Sequence, residues 1–253
     1  MSIRTRKIFF LASAAAFGFL LIWGLSGLPA FGDYRGPYGI VLGQIAVSER
    51  QATEVVGATT FDYRGFDTMG EEYILFAAVM GLAILLRGLR GERVDDEEEE
   101  YPVHRRRREA SDALRAMGLV LVGPLVMLGI YIVAHGHVTP GGGFQGGVIL
   151  TAALILISLA GRHLAMKRVR PIPLVELADA SGAAGFVLVG VGGVIAGSEF
   201  LYNFLPLGEA GTLLSAGMIP LLNISVGLEV TGAFVLLISE FLEQQFVEGR
   251  DEA

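Results

Sequence analysis

Residues Pro220 to Leu242 read PLLNISVGLEVTGAFVLLISEFL, a run in which Glu229 is the only charge before Glu240. A helix needs about 20 mostly apolar residues to cross the hydrocarbon layer of a bilayer. This run meets that length and carries one acid about halfway along it. No soluble amphipathic helix is apolar on every face in this way. The stretch therefore reads as a membrane span, and the remainder of the chain reads in the same key.

Five more apolar segments precede it: Ile8–Leu28, Thr68–Leu89, Leu114–Val138, Phe144–Ala165 and Ala183–Phe204. The expected fold is all-α, a polytopic membrane protein with six transmembrane helices. The second segment is the thinnest. Its uncharged part, Tyr73–Leu86, is only about 21 Å long at 1.5 Å per residue. It crosses if Arg87 snorkels to one interface and Glu71 or Glu72 lies at the other. The composition agrees: 53% of the 253 residues are hydrophobic and 18% charged. There is no cysteine, which excludes disulfides, thiolate metal ligands, cysteine-held iron–sulfur clusters and cysteine nucleophiles within the chain.

Orientation follows from the basic residues. With a cytoplasmic N-terminus, 16 of the 19 lysines and arginines fall on inside segments, leaving Arg35, Arg50 and Arg64 outside. The positive-inside rule expects that bias, so both termini are placed in the cytoplasm. Arg4–Lys7, the first apolar run and Ala30-Phe31-Gly32 also fit a cleaved signal peptide. The run's full span length favours a retained helix.

Six consecutive acids, Asp95 to Glu100, are followed by Tyr-Pro-Val-His and then Arg105–Arg108. Like-charge blocks repel and bury no core, so residues 92–110 are expected to form a charged, flexible cytoplasmic linker. The arginines either rest on anionic lipid or simply enforce topology. The linker separates a two-helix unit (1–91) from a four-helix unit (111–253). The near-match of Gly118–Gly123 to Gly185–Gly190 is the kind that apolar composition produces unaided.

Glu229 invites two readings. It takes up protons or cations along a path, or it is a neutral, neighbour-bonded glutamate that holds subunits together. At about 100° per residue, Ser225, Glu229, Glu240 and Glu243 share one helix face. Glu229 and Glu240 are about 16 Å apart in rise, which suggests a wet face from mid-membrane towards the cytoplasm. Glu199 sits near the outer end of the fifth span, where an interfacial carboxylate is tolerated. Glu176 and Asp179 precede that span and read as helix caps or surface charge.

The third and fourth spans are joined by His135-Gly-His137-Val-Thr-Pro140-Gly141-Gly142-Gly143-Phe144. Proline and three glycines break any helix. Broken backbone at membrane depth needs protein or water to cover it. Gly143 and Gly147 form a small-xxx-small pair suited to close helix packing. No Gly-Lys-Ser/Thr follows, so this is no phosphate loop. His135 and His137 lack a third metal ligand nearby and suit titration near an ion entrance better than metal binding. Ahead of the second span, Asp62 and Arg64 can pair, Asp67 or Thr68 can cap the helix, and Glu71 falls in its first turn. A carboxylate cluster there also suits the mouth of a cation path. Serine, histidine and aspartate candidates lie at different depths, so no nucleophile–base pair points to an enzyme.

The run from Tyr131 to Gly147 resembles the hallmark of the B subunit of Mrp-type multisubunit cation/proton antiporters. The run Phe61-Asp62-Tyr63-Arg64-Gly65-Phe66-Asp67-Thr68-Met69-Gly70-Glu71 resembles the C-terminal end of the family's large A-type component and the E-type small component of related membrane-bound hydrogenases. The chain is thus similar to a fusion of an A-type tail with a B subunit. The resemblance marks Pro140, Gly141, Gly142, Gly143 and Phe144 at the turn, and Asp62, Arg64, Asp67 and Glu71 in the acidic stretch. It implies an accessory, ion-conducting subunit in a plasma-membrane complex, with Na+ and H+ as transported ions. The implied partners are antiporter-like and small membrane subunits, membrane lipids and no nucleic acid; no cofactor is implied. The family's acidic stretch usually reads Asp-Phe-Arg followed by Gly-Glu-Ile, where this chain has Asp62-Tyr63-Arg64 and Gly70-Glu71-Glu72. The lysine-bearing discontinuous helices of the proton-pumping subunits are absent, so the chain is not expected to antiport alone. The alternative is a membrane-arm subunit of a hydrogenase or related redox complex; a pure scaffold is the third.

Overall fold

The computed structural model describes residues 3–30, 32–33, 36–95, 111–160 and 172–251. The described residues hold eight α-helices and one π-helical turn, and no strand among them. By contacts the chain divides into Met1–Val41 and Leu42–Ala253. In the first unit α1 (Ile3–Ser26) is a continuous apolar helix, with Phe9, Phe10, Phe19, Ile22 and Trp23 exposed along it. It stops where Gly27 donates back to Gly24 and Pro29 follows. Such a helix, apolar all round, belongs in lipid.

The second unit begins within α2 (Pro37–Arg50). A short α3 (Val55–Ala58) and the π-helical turn Thr59–Tyr63 lead into α4 (Gly65–Asp95). The remaining helices are α5 (Asp112–Ala134), α6 (Gly143–Ala160), α7 (Ile172–Ile195) and α8 (Ile219–Asp251). The last is the hub, since α4, α6 and α7 all pack on it. Its Leu222, Val226, Val230, Ala233 and Leu236 are buried, so this helix supplies much of the apolar core.

Among the described residues five helices are long and apolar enough to cross a membrane: Arg4–Ser26, Gly65–Leu86, Asp112–Ala134, Pro173–Ile195 and Ile219–Phe241. A shorter apolar stretch, Gly143–Ile157, stands where the fourth of the expected six begins, and residues 161–165 of that expected span lie outside the described residues. The fifth span is displaced. Expected over Ala183–Phe204, it runs instead over Ile172–Ile195 and ends near Gly197 (φ +85°). The expectation rested on apolarity and so left out Glu176 and Asp179; the helix includes both because Asp179 is covered by α8. Of the expected linker, residues 92–95 continue α4, and residues 96–110 lie outside the described residues.

Candidate functional site

Helices α7 and α8 approach each other closely in the core. A Cβ on Gly182 would sit 2.4 Å from the backbone nitrogen of Glu229 and 2.6 Å from its Cβ. One on Gly232 would sit 2.6 Å from the nitrogen of Asp179. Glycine at both places is therefore a packing requirement, of the kind membrane helices use to bring backbones together. The pairing of 182 with 229 and of 179 with 232 makes the helices antiparallel. Asp179 thus lies about 4.5 Å, three residues of rise, from the level of Glu229.

Glu229 and Asp179 are both fully buried, and none of their four carboxyl oxygens has a hydrogen-bond partner. Glu72, on α4, is buried as well, with Oε2 unpartnered, and Glu229 lies within electrostatic reach of both other acids. The neighbouring Tyr73 hydroxyl donates to the Ala183 carbonyl at 3.5 Å, tying α4 to α7 at this level. Glu240, eleven residues beyond Glu229, is also buried. An ionised carboxylate at membrane depth costs several kcal/mol unless a proton, water or cation accompanies it. Buried polar atoms are normally satisfied, so a cluster of unpartnered carboxyls needs a reason beyond packing. Among the described residues no three acidic or histidine side chains converge as a metal shell.

A second polar region is built differently. Helix α5 ends at His135, whose N–H donates to the Tyr131 carbonyl and whose ring stacks on Tyr131 at 4.0 Å. Gly141 (φ +156°) and Gly142 (φ +140°) then adopt backbone angles that side chains disfavour. The buried Asn223 accepts the Gly143 N–H at 2.8 Å and donates to the Ile219 carbonyl. Gly143 and Gly147 lie directly on α8, where a Cβ would meet Asn223 O at 2.4 Å and Val230 Cβ at 2.8 Å.

Two more segments close over this turn. Thr53 donates to the Val138 carbonyl at 2.6 Å, and Gly57 leaves no room for a Cβ against the Gly136 carbonyl. Asp62 accepts from Arg50 at 2.7 Å and from Asn203 at 2.8 Å. Asn203 in turn binds the Met218 N–H and the Ala216 carbonyl, beside Gly217 at φ +62°. His137 is fully buried with Nε2 at 3.3 Å from the Thr212 carbonyl, and burial lowers its pKa. Burial, reinforced by a hydrogen bond to Glu49, pushes the Tyr63 phenol up to about 12.

Several expectations need correction. Asp62 pairs with Arg50 across twelve residues, while Arg64 binds Asp67. Helix α4 already starts at Gly65, so Asp67 sits in its first turn and Thr68 donates to the Thr60 carbonyl instead of capping. Asp179 is neither cap nor surface charge but a core residue. On the face expected to be wet, Glu229 and Glu240 are both buried, and Gly182 and Gly185 of α7 lie against Glu229 and Ser225. Glu71 is exposed, and its neighbour Glu72 turns inward. Glu199, in the connection after α7, is exposed; His135 is half-buried; Pro140 and Phe144 are exposed. Sequence reasoning missed Asp179, Glu72 and Asn223. The signal for Asp179 was Gly232 on the partner helix, which faces it as Gly182, one turn on, faces Glu229.

The family described as "Domain related to MnhB subunit of Na+/H+ antiporter" matches residues 113–236. The putative antiporter subunit mnhB2 of Staphylococcus haemolyticus is 32% identical over 137 residues, 52% of this chain and 94% of that protein. The probable K+/H+ antiporter A/B protein of Rhizobium meliloti is 30% identical over 223 residues, 79% of this chain and 21% of that far longer one. Among solved structures, a chain of the membrane-bound sulfane sulfur reductase, an archaeal respiratory membrane complex, aligns with TM-score 0.71 and 27% identity, covering 94% of this chain and 98% of that one. A chain of the Mrp complex from Dietzia sp. shares the fold with TM-score 0.69 at 22% identity, over 95% of this chain and 26% of that one.

Proposed function

This chain belongs to the MnhB family of Na+/H+ antiporter subunits, and from that premise we propose that it is an accessory, ion-conducting subunit of a multisubunit cation/proton antiporter. It is a multi-pass protein of the prokaryotic plasma membrane, and other antiporter subunits are its partners. The observation that carries the ion-conducting role is the trio Glu72, Asp179 and Glu229: buried acids on three helices, with both oxygens of Asp179 and Glu229 and Oε2 of Glu72 lacking a hydrogen-bond partner. Such groups at membrane depth mark ion pathways and proton relays.

In this reading the chain crosses the membrane six times with both termini in the cytoplasm, the helix Gly143–Ala160 belonging to the fourth crossing. Residues 1–91 act as an A-type tail and 111–253 as a B subunit, a division supported by the match to the longer A/B protein of Rhizobium meliloti. A chain without cysteine accepts single-cysteine labelling directly. Outside labelling at position 104, or inside labelling at 141, sinks the topology.

The decisive test is Glu229→Gln in the assembled complex. Loss of coupled ion movement by about 100-fold or more, the scale on which a proton-handling group matters, is expected with the complex intact on a native gel. Full activity removes Glu229 from any path. A second reading, a membrane-arm subunit of a respiratory redox complex, is favoured by the sulfane sulfur reductase chain, whose length this chain matches almost completely. Mild-detergent pull-down separates the two: antiporter-like subunits alone support the first, and co-purifying iron–sulfur or nickel proteins the second.

A further inference from the structure

Resting on the reading that Glu229 lies on an ion path, we infer that the ion handled by Glu72, Asp179 and Glu229 is the proton, and that a dehydrated sodium ion does not bind among them. A sodium ion stripped of water needs a shell of several oxygens in its place, which membrane proteins supply from rings of carbonyls or from unwound helix segments. Among the described residues the two helices at this level offer neither. Helices α7 and α8 run unbroken through Asp179 and Glu229, so their carbonyls are engaged within the helices. The carboxyl oxygens of Glu229 and Asp179, and Oε2 of Glu72, have no hydrogen-bond partner, and among the described residues no three acidic or histidine side chains converge as a metal shell. Gly182 of α7 lies directly against Glu229 and has no side chain to offer as a ligand.

A proton makes no such demand, because one carboxyl oxygen suffices to hold it. The charge balance points the same way. Glu229 faces Glu72 from α4 and Asp179 from α7, all three acids and all buried, with Glu240 further along its own helix. Protons neutralise such groups one by one, whereas a single sodium ion leaves the other charges uncompensated in a low-dielectric core. Transfer would pass the O–H proton of one carboxyl through an intervening water to the carboxylate oxygen of the next. The donor becomes the carboxylate, so total charge is unchanged. The Gly182–Glu229 and Gly232–Asp179 contacts keep the two stations on α7 and α8 one turn apart.

The test uses the whole purified complex and a hydrophobic carbodiimide, which attacks protonated carboxyls. The label on the Glu229 peptide is read by mass spectrometry in sodium chloride and in choline chloride at equal ionic strength, with Glu229→Gln as the assignment control. Expected is labelling that falls as pH rises and is the same in both salts. A bound sodium ion at about ten times its dissociation constant would instead cut labelling about tenfold. Such sodium-specific protection overturns the proton assignment while leaving Glu229 on the path. No label at any pH overturns it too, since a carboxyl that never holds a proton relays none. A labelled wild-type complex whose Glu229→Gln variant keeps full transport would show that the path reading itself has failed, a distinct result.

Discussion

The glycine turn with its covering segments and the α7–α8 crossing are both polar, glycine-rich and buried, yet they treat polar atoms in opposite ways. Around the turn nearly every polar group is matched: Asp62 holds two donors, Asn203 and Asn223 each bind backbone on both sides, and Thr53 and Glu54 reach the 137–138 backbone. At the crossing, three carboxyls are buried, with both oxygens of Asp179 and Glu229 and one of Glu72 left open. Satisfied networks rigidify, and unsatisfied buried charge is kept only where something must come and go. The turn is therefore read as scaffold and the crossing as the working part.

The largest effect that could break this division is at Glu229, where glutamine should stop coupled ion movement and spare assembly. Glu72→Gln should follow it, and Glu71→Gln, on the exposed side of the same helix, should leave ion movement near normal. Equal losses at both, measured as sodium-dependent proton movement in vesicles, would erase the distinction between them. Next comes Gly182→Ala, whose Cβ has nowhere to go. Overpacking of this kind costs about 1–3 kcal/mol, seen as a lower melting temperature of the detergent-purified complex. On the scaffold side, Arg50→Ala leaves the buried Asp62 with Asn203 alone. Arg50 is one-third exposed, so solvent screens the pair and the loss should be about 1–3 kcal/mol of stability, with the pH profile of transport unmoved.

The smallest effect concerns His137. Burial depresses its folded pKa, so below the unfolded value, about 6.5, the unfolded chain binds more protons and stability falls as pH drops. His137→Gln should flatten that acid-side loss in thermal melts between about pH 5 and 7.

Length and apolarity alone located the apolar, membrane-crossing parts of α1, α4, α5 and α8 to within a few residues, while α4 and α8 run on to Asp95 and Asp251. The same rule misplaced α7. Two acids at its start look like surface residues to any hydropathy reading, and only the facing glycine of α8 shows that Asp179 is inside. Glu229 was legible because it stands alone amid apolar residues. Its partners were not, since Glu72 sits beside an exposed twin and which of the two turns inward depends on helix phase. The Asp62–Arg50 pair was hidden for a related reason: local spacing favoured Arg64, while the fold brought in α2.

That phase has an identifiable source. Between α3 and α4 the chain makes the π-helical turn Thr59–Tyr63, closed by the Arg64 N–H on the Thr59 carbonyl at 2.8 Å. A π turn holds one residue more than an α turn in the same advance. It works as a clocking washer between two threaded rods: the wide turn absorbs the extra residue, so α3 stays seated on the glycine turn while α4 keeps the phase that turns Glu72 inward. Deleting one residue from the first turn of α4 instead, where no wide turn absorbs it, would swing the rest of α4 by about 100°. Glu72 would leave the crossing and an uncharged neighbour would take its place, switching off the site without altering any of its residues.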